Sequence, residues 1–276
     1  MKSSNIGGQA VMEGIMMRSG DQYSIGVRKP DGEIEVKVEP YRSWAKDSSI
    51  WKLPVFRGVA SFFESLVVGI RCLMYSASFI EDEEEDAKKP GKEKTEEQKE
   101  KEEKWLMYGT MTFSVIFSIA LFIMLPYFLA GFLRNVTTSE GVIAVAEACV
   151  RMILFLGYLV LISRMKDIQR VFMYHGAEHK CINCVEHGLE LNVENVMKSS
   201  REHKRCGTSF LLFVMIVSII FFLFIRVSSP VLRVVIRLLL MPVIAGVSYE
   251  IIRLAGKSDN KIVASVSYTH LTLPTI

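Results

Sequence analysis

The sequence predicts an all-α polytopic membrane protein with about four transmembrane helices and a small N-terminal β-hairpin region. Half of the residues are apolar and the mean hydropathy is +0.28, which is high for a soluble domain. The apolar residues are concentrated in long runs in the second half of the chain. Near the N-terminus, by contrast, charged and apolar residues alternate after a Pro-Asp-Gly turn.

Four apolar runs have the length of a membrane span, because about 20 helical residues cross the roughly 30 Å of bilayer hydrocarbon. Two of the runs contain a proline, Pro126 and Pro242, which membrane helices tolerate. The predicted spans are residues 108–133, 142–162, 209–225 and 231–252, within a transmembrane domain at 105–262.

The soluble region 1–52 contains a strand signal. Residues 24–28 and 33–39 flank a Lys-Pro-Asp-Gly turn, and the second stretch alternates charged with apolar side chains. Pro30 presets φ and Gly32 accepts a positive φ, so the turn is suited to joining two strands. We expect two antiparallel strands with one solvated face.

The segment 53–80 is largely apolar but carries Arg57, Glu64 and Arg71. Ionisable groups are costly at bilayer depth, so we predict an amphipathic or interfacial helix here, with a fifth spanning helix as the alternative. Residues 81–104 hold 12 acids and 7 lysines and almost no apolar residue. This composition predicts a disordered linker or a solvated helix.

The basic residues predict the orientation of the chain. The segment between the second and third spans carries eight lysines and arginines, whereas the turn at 134–141 carries only Arg134. This places both termini and the middle segment in the cytoplasm. Arg226, Arg233 and Arg237, near the opposite turn, conflict with this orientation but are outnumbered.

Composition argues against several classes of protein. A net charge of +3 without a basic stripe predicts no nucleic-acid binding. Five irregularly spaced cysteines argue against a disulfide framework. No apolar signal-peptide core precedes Gly20, so we expect insertion to depend on the internal helices. Membrane lipids are the partners that this composition predicts.

Four of the five histidines and three of the five cysteines lie in the segment 164–208. His175 and His179 are four residues apart, so on a helix both imidazoles project from one face and can share a metal. Glu178 completes a His-x-x-Glu-His order, in which the glutamate of inverted zincins is the general base on a metal-bound water. A pair of interfacial histidines without a metal is the alternative interpretation.

A second metal arrangement uses other residues of the same segment. Cys181 and Cys184 form Cys-x-x-Cys, and His203 and Cys206 form His-x-x-Cys, which together match a structural zinc site of the Cys₃His type. Spacing does not rank this closed site against an open catalytic site built on the other two histidines and a third ligand. Glu250, in the last apolar run, is a candidate for a ligand or acid–base role, with pairing to an arginine as the alternative.

Three motifs carry a family resemblance. They are Gly-Gly-Gln-Ala-Val-Met-Glu-Gly-Ile-Met-Met-Arg at 7–18, His-Gly-Ala-Glu-His-Lys at 175–180 and His-Lys-Arg-Cys-Gly-Thr-Ser-Phe at 203–210. These motifs resemble the YqhQ-like family of bacterial membrane proteins of unknown function, and the resemblance covers residues 5–262. Because that family is described as predicted metal-dependent enzymes, the resemblance implies a multi-helix protein of the bacterial cytoplasmic membrane with a metal role. It implies no known reaction.

The resemblance also implies a choice of ligands, because family members do not usually carry cysteine at position 181. The closed site that contains Cys181 is therefore disfavoured. Residues 263–276 depart from the family pattern and are expected to be a non-native tail. We then expect the native sequence to be truncated near Ala264 and His270 to belong to no site.

We predict a site for a divalent metal, zinc, at the cytoplasmic membrane face. The four predicted ligands, followed by the two predicted catalytic residues, are His175, His179, His203, Cys206, Glu178 and Glu250. If the protein is an enzyme, metal-dependent hydrolysis of a lipid or a membrane peptide fits the site best. The alternative is a non-enzymatic membrane assembly factor, sensor or transport-accessory protein with a structural metal or none.

Overall fold

The computed structural model of the chain is mostly helical with a small N-terminal sheet, which confirms the predicted fold class. It describes residues 4, 6–43, 49–87, 96–203, 206–225, 227 and 229–255. The helices are α1 (Phe56–Ala87), α2 (Glu96–Ile119), α3 (Leu125–Gly131), α4 (Glu140–Ile162), α5 (Lys166–Glu186), α6 (Val193–Lys198), α7 (Gly207–Phe224) and α8 (Pro230–Ala255).

Two of the segments predicted from the sequence lie partly or wholly outside the described residues. The predicted non-native tail at 263–276 lies outside the described residues, as does the middle of the predicted linker, 88–95. The two ends of that linker are helical, since 81–87 belong to α1 and 96–104 belong to α2.

Four antiparallel strands follow one another in sequence order, namely β1 (Gly7–Val11), β2 (Gly14–Ser19), β3 (Gln22–Arg28) and β4 (Ile34–Pro40). The predicted hairpin is confirmed as β3–β4, with Arg28 opposite Ile34 and Gly32 at a φ of +89°. Strands β1 and β2 have no counterpart in the sequence prediction. Their glycines carry no side chain, so a period of two is not recognisable there.

Helix α1 covers one face of this sheet. Six side chains of the sheet region form a buried cluster with Cys72 of α1, and Val68, Tyr75 and Phe79 of α1 pack against it. The sheet thus supplies the partner surface that an amphipathic helix requires. The same helix contains a stretch, Phe56–Phe79, that is long and apolar enough to cross a membrane. Both interpretations of this segment therefore have a physical basis in the fold.

Among the described residues, four helices are long and apolar enough to cross a membrane, and they lie at Phe56–Phe79, Tyr108–Gly131, Glu140–Ile162 and Val231–Ala255. Three of them correspond to predicted spans. The predicted span at 209–225 is instead a shorter apolar helix, Ser209–Phe224. At about 1.5 Å per residue this helix is about 24 Å long, less than the roughly 30 Å of bilayer hydrocarbon.

The chain divides into two compact units. The first unit comprises Met1–Glu83, Ser163–Ser218 and Leu240–Ile276, and the second comprises Glu84–Ile162 and Ile219–Leu239. Every residue predicted to bind a metal or to act in catalysis belongs to the first unit.

In the first unit, α1 and α8 cross at two glycines. A Cβ atom on Gly58 would lie 2.7 Å from the carbonyl oxygen of Gly246, and one on Gly246 would lie 2.5 Å from that of Val55. One turn away, the guanidinium of Arg57 donates two hydrogen bonds to the carboxylate of Glu250. Small residues let the two backbones touch, as at close helix crossings in membranes, and the ion pair stabilises the register.

Candidate metal centre

The His-x-x-Glu-His motif lies in the middle of α5, a helix of 21 residues. His175, His179 and Asn183 are spaced by four, so they share one face of this helix. Asn183 donates from Nδ2 to the carbonyl oxygens of Ser200 and Glu202, at 2.7 and 2.9 Å. These bonds hold the chain that precedes α7 against α5, and they place the cysteine that follows, Cys206, next to the two histidines.

That cysteine is Cys206, at the start of α7. Nε2 of His175 lies 3.1 Å from Sγ of Cys206, and the rings of His175 and His179 have centroids 4.4 Å apart. The three ligand atoms all lie within 4.8 Å of one another. Ligand atoms of a tetrahedral zinc are about 3.3–3.7 Å apart when the bonds have their usual lengths of about 2.0–2.3 Å. The group therefore fits a His₂Cys donor set for a zinc-type cation.

The histidines are oriented by groups outside this donor set. Nδ1 of His179 lies 2.7 Å from the carbonyl oxygen of Arg201, which can only accept, so Nδ1 carries the proton. Nε2 of His179 is then the nitrogen left for a cation, once it gives up the hydrogen bond that it makes to Cys206. Nδ1 of His175 lies 3.4 Å from Oε2 of Glu178. Metal-binding histidines usually show this pattern, in which the second nitrogen faces a carbonyl or a carboxylate.

Glu178 is buried, with 4 % of its surface exposed. Its Oε2 makes no hydrogen bond to any residue that the structure describes. Strand β1 passes directly over this carboxylate, because a Cβ atom on Gly8 would lie 2.5 Å from Oε1. Only glycine leaves room for the strand and the carboxylate together, which is the physical role of this position in the N-terminal motif.

The cysteine and the first histidine form a charged pair. Burial raises the pKa of the Cys206 thiol, but hydrogen bonds from His175 and His179 outweigh burial and lower it to about 4. Burial also disfavours the imidazolium of His175, but the close approach of Cys206 and of the Glu178 carboxylate raises its pKa to about 10. At neutral pH the cysteine is therefore a thiolate, which is the form that binds metals, whereas His175 is an imidazolium that must release its proton before its nitrogen can bind a metal.

The turn between β1 and β2 makes hydrogen bonds to a second face of α5. Glu13 sits in that turn at a φ of +49° and accepts hydrogen bonds from Arg170 and from the hydroxyl of Tyr174, the latter at 3.2 Å. The guanidinium of Arg170 lowers the pKa of the Glu13 carboxyl. Since Arg170, Tyr174 and Glu178 are spaced by four, the hairpin β1–β2 lies along one side of the helix. Sequence reasoning singled out this motif but not its positioning role.

Besides Glu178, two predicted site residues lie outside the group of three. The ring of His203 has its centroid 5.7 Å from that of His179, and its Nε2 lies 3.5 Å from Oε2 of Glu186. Glu250 lies on α8, where Arg57 binds its carboxylate. His203 as a ligand and Glu250 as a catalytic residue stay predictions.

The alternative closed site is not assembled among the described residues. Sγ of Cys184 lies 3.4 Å from the carbonyl oxygen of Glu190, and neither Cys181 nor Cys184 belongs to the group around Cys206. Burial raises the pKa of the Cys181 thiol. Both cysteines are free.

The sequence of the chain has clear relatives. Residues 53–276 match the family described as a protein of unknown function (DUF1385). The chain is 37 % identical over 252 residues to the uncharacterized protein YqhQ of Bacillus subtilis (strain 168), which covers 91 % of this chain and 79 % of that protein. No solved structure matches the chain. The family resemblance predicted from the three motifs is thus confirmed, and the chain belongs to the DUF1385 family.

Proposed function

We propose that the protein binds a zinc-type divalent cation through His175, His179 and Cys206 and acts as a metal-dependent hydrolase at the cytoplasmic face of a bacterial membrane. The observation that carries the proposal is the convergence of the three ligand atoms within 4.8 Å. The thiolate state of Cys206 and the outward hydrogen bond of His179 support it, because both prepare lone pairs for a cation.

The three ligands that converge among the described residues leave a fourth position free, as in catalytic rather than structural zinc sites. A bound zinc-type cation lowers the pKa of water and polarises a carbonyl or phosphoryl oxygen. Glu178 is the group that takes the proton, because its Oε2 is buried beside the ligands and has no hydrogen bond within the described chain. Strand β1 at Gly8 shields this carboxylate, which keeps the proton acceptor away from bulk water.

The substrate class follows from the surroundings of the site. The unit that holds the ligands also contains the candidate span Phe56–Phe79, so lipids and membrane-embedded peptides are the substrate class that we propose. The eight basic residues between 163 and 208 support a cytoplasmic location for this segment.

A non-enzymatic role is the second candidate, and one contact favours it. Oε2 of Glu178 lies 3.4 Å from Nδ1 of His175, which is the place of a carboxylate that merely orients a metal-binding histidine. In that case the cation would fasten the segment before α7 to α5, as in a sensor or an assembly factor.

Metal content tests the binding proposal. The protein is purified in detergent from zinc-supplemented cells and analysed by elemental mass spectrometry, together with Cys206→Ser and a matched control, Cys184→Ser. We expect one zinc per chain in the wild type and the control and none in Cys206→Ser. Wild type without metal, or equal metal in both variants, ends the proposal.

A Glu178→Gln variant separates the two roles of the cation. If the protein is a hydrolase, this variant keeps its metal but loses hydrolysis of phospholipid or hydrophobic-peptide substrates, whereas the exposed control Glu194→Gln keeps both. Unchanged metal, unchanged cellular function and no hydrolysis by the wild type would favour the non-enzymatic role.

A further inference from the structure

Three charged side chains are buried together in the second unit. Glu147 and Arg151 lie one turn apart on α4, and Arg237 lies on α8. They are 5 %, 4 % and 4 % exposed. Oε1 of Glu147 accepts a hydrogen bond from Arg151 at 2.8 Å and forms an ion pair with Nη1 of Arg237 at 2.5 Å. All three residues lie within candidate spans, where ionisable groups are costly and are retained for a function.

Among the residues that the structure describes, the charges of this cluster do not balance. Two guanidinium groups share one carboxylate, which leaves one positive charge in a buried place. Arg233, one turn before Arg237 on the same face of α8, adds another. Its guanidinium donates to the carbonyl oxygen of Val227, at 3.0 Å from Nε, which is a neutral partner. The four side chains together carry a net charge of +2.

Aromatic rings support these cations without neutralising them. The guanidinium carbons of Arg151 and Arg237 lie 5.1 and 4.9 Å from the centroid of the Phe222 ring. That of Arg233 lies 4.7 Å from the Tyr127 ring. A ring face attracts a cation but carries no net charge, so the excess positive charge calls for an anion.

We propose that this arginine cluster is an intramembrane binding site for a phosphate group. Guanidinium forks bind phosphate oxygens in pairs, and arginine is preferred over lysine where such planar recognition matters. Arg233 lies in the first turn of α8, and Arg237 lies about 6 Å further along the helix axis. The two guanidinium groups therefore lie at successive depths between the end of the helix and the interior of the bundle. An anionic lipid headgroup and a free phosphate ion share this chemistry and are the two sources of the ligand.

The site is independent of the proposed metal centre. Glu147, Arg151, Arg233 and Arg237 belong to the second unit, whereas the ligands around Cys206 belong to the first. The cluster also bears on the arginines that conflict with the predicted orientation. Arg237 lies inside the bundle with a carboxylate partner rather than in a loop, so it does not report on the side of the membrane.

Thermal unfolding of the full chain in nanodiscs tests the proposal. In one arm, inorganic phosphate is titrated against chloride at constant ionic strength in phosphatidylcholine discs. In the other arm, phosphatidylglycerol replaces part of the phosphatidylcholine. We expect Tm of the wild type to rise in at least one arm, with the logarithm of phosphate concentration or with the phosphatidylglycerol fraction. A rise in the first arm alone identifies free phosphate, and a rise in the second alone identifies the headgroup.

Arg237→Gln removes one cation and leaves the neutral pair of Glu147 and Arg151, so it is expected to fold and to lose the rise in Tm. The matched control Arg164→Gln removes the same charge from an exposed position and is expected to keep it. Arg233→Gln, at the rim of the cluster, provides a second variant and is expected to reduce the rise. The proposal is overturned if Tm of the wild type rises in neither arm. It is also overturned if Arg237→Gln and Arg233→Gln show the same rise in Tm as the wild type, or if Arg164→Gln loses the rise to the same extent as they do.

Discussion

Gly8 is the position where the strand that covers α5 touches the buried Glu178. A Cβ atom there would lie 2.5, 2.6 and 2.7 Å from Oε1, Cδ and Cγ of Glu178. To reach ordinary van der Waals contact, the Oε1 separation must grow from 2.5 Å to at least 3.4 Å. Because Glu178 is buried, its carboxylate retreats only by pushing on its neighbours or by moving away from Nδ1 of His175.

Gly8→Ala is therefore expected to act on both stability and metal binding. Overpacking of this size costs about 1–3 kcal/mol. Removing the partner that orients a metal-binding histidine weakens binding by about 10- to 100-fold. The assay is zinc competition against a chromophoric chelator in detergent, with Tm measured on the same samples.

Gly7→Ala is the matched control, since it lies in the same strand and a Cβ atom there meets nothing within 4 Å. Its φ is not positive, so alanine is tolerated and stabilises by about 0.4–1 kcal/mol through the unfolded chain. We expect Gly7→Ala to bind zinc like the wild type. If Gly8→Ala also binds zinc like the wild type, or if both variants lose affinity equally, the close contact between β1 and Glu178 does not position the metal centre.

Two further predictions concern titration and helix packing. In metal-free protein, the pKa of Cys206 near 4 lies below its ordinary value of 9, so its thiolate stabilises the fold at high pH and this contribution is lost as pH falls through about 4. The ultraviolet thiolate signal that distinguishes wild type from Cys206→Ser should disappear with a midpoint near 4, and a midpoint near 9 would contradict the pair with His175. Gly58→Ala should lower the free energy of unfolding by the overpacking cost of about 1–3 kcal/mol and so lower Tm, because its Cβ atom would meet the backbone of Gly246. Gly157→Ala, whose Cβ meets nothing within 4 Å, should leave Tm unchanged or raise it, and equal effects of the two would exclude a tight crossing of α1 and α8.

Local signals in the sequence predicted local structure. The hairpin β3–β4 follows from alternation around a turn, and the apolar runs follow from length and composition. The same signals did not predict strand β1, because its glycines carry no side chain and so show no alternation of polar and apolar residues. Where length is marginal, as in α7, composition alone does not decide whether a helix crosses the membrane, and the span predicted there stays a prediction.

The choice of ligands needed long-range contacts. Spacing did not rank a closed site with Cys181, Cys184 and Cys206 against an open site on the two histidines of α5, because a four-residue step predicts a shared helical face but not what faces it. The bonds from Asn183 to the chain before α7 decide which cysteine reaches His175. Glu250 likewise was a candidate ligand or acid–base residue in sequence, with pairing to an arginine as the alternative, and the structure shows that Arg57, 193 positions away, binds its carboxylate.

Sequence by itself determined the class of the protein, its family, the presence of membrane-length helices and the segment in which metal-binding residues are concentrated. These properties depend on composition, on periods of two and 3.6 residues and on motif identity, all of which are local along the chain. Only the tertiary structure decided that His175, His179 and Cys206 meet, that β1 lies over Glu178 and that Glu147 is shared by two arginines. Each of these is a contact between segments far apart in sequence, and such contacts form because burial and hydrogen bonding of the whole fold favour them, which no single segment specifies.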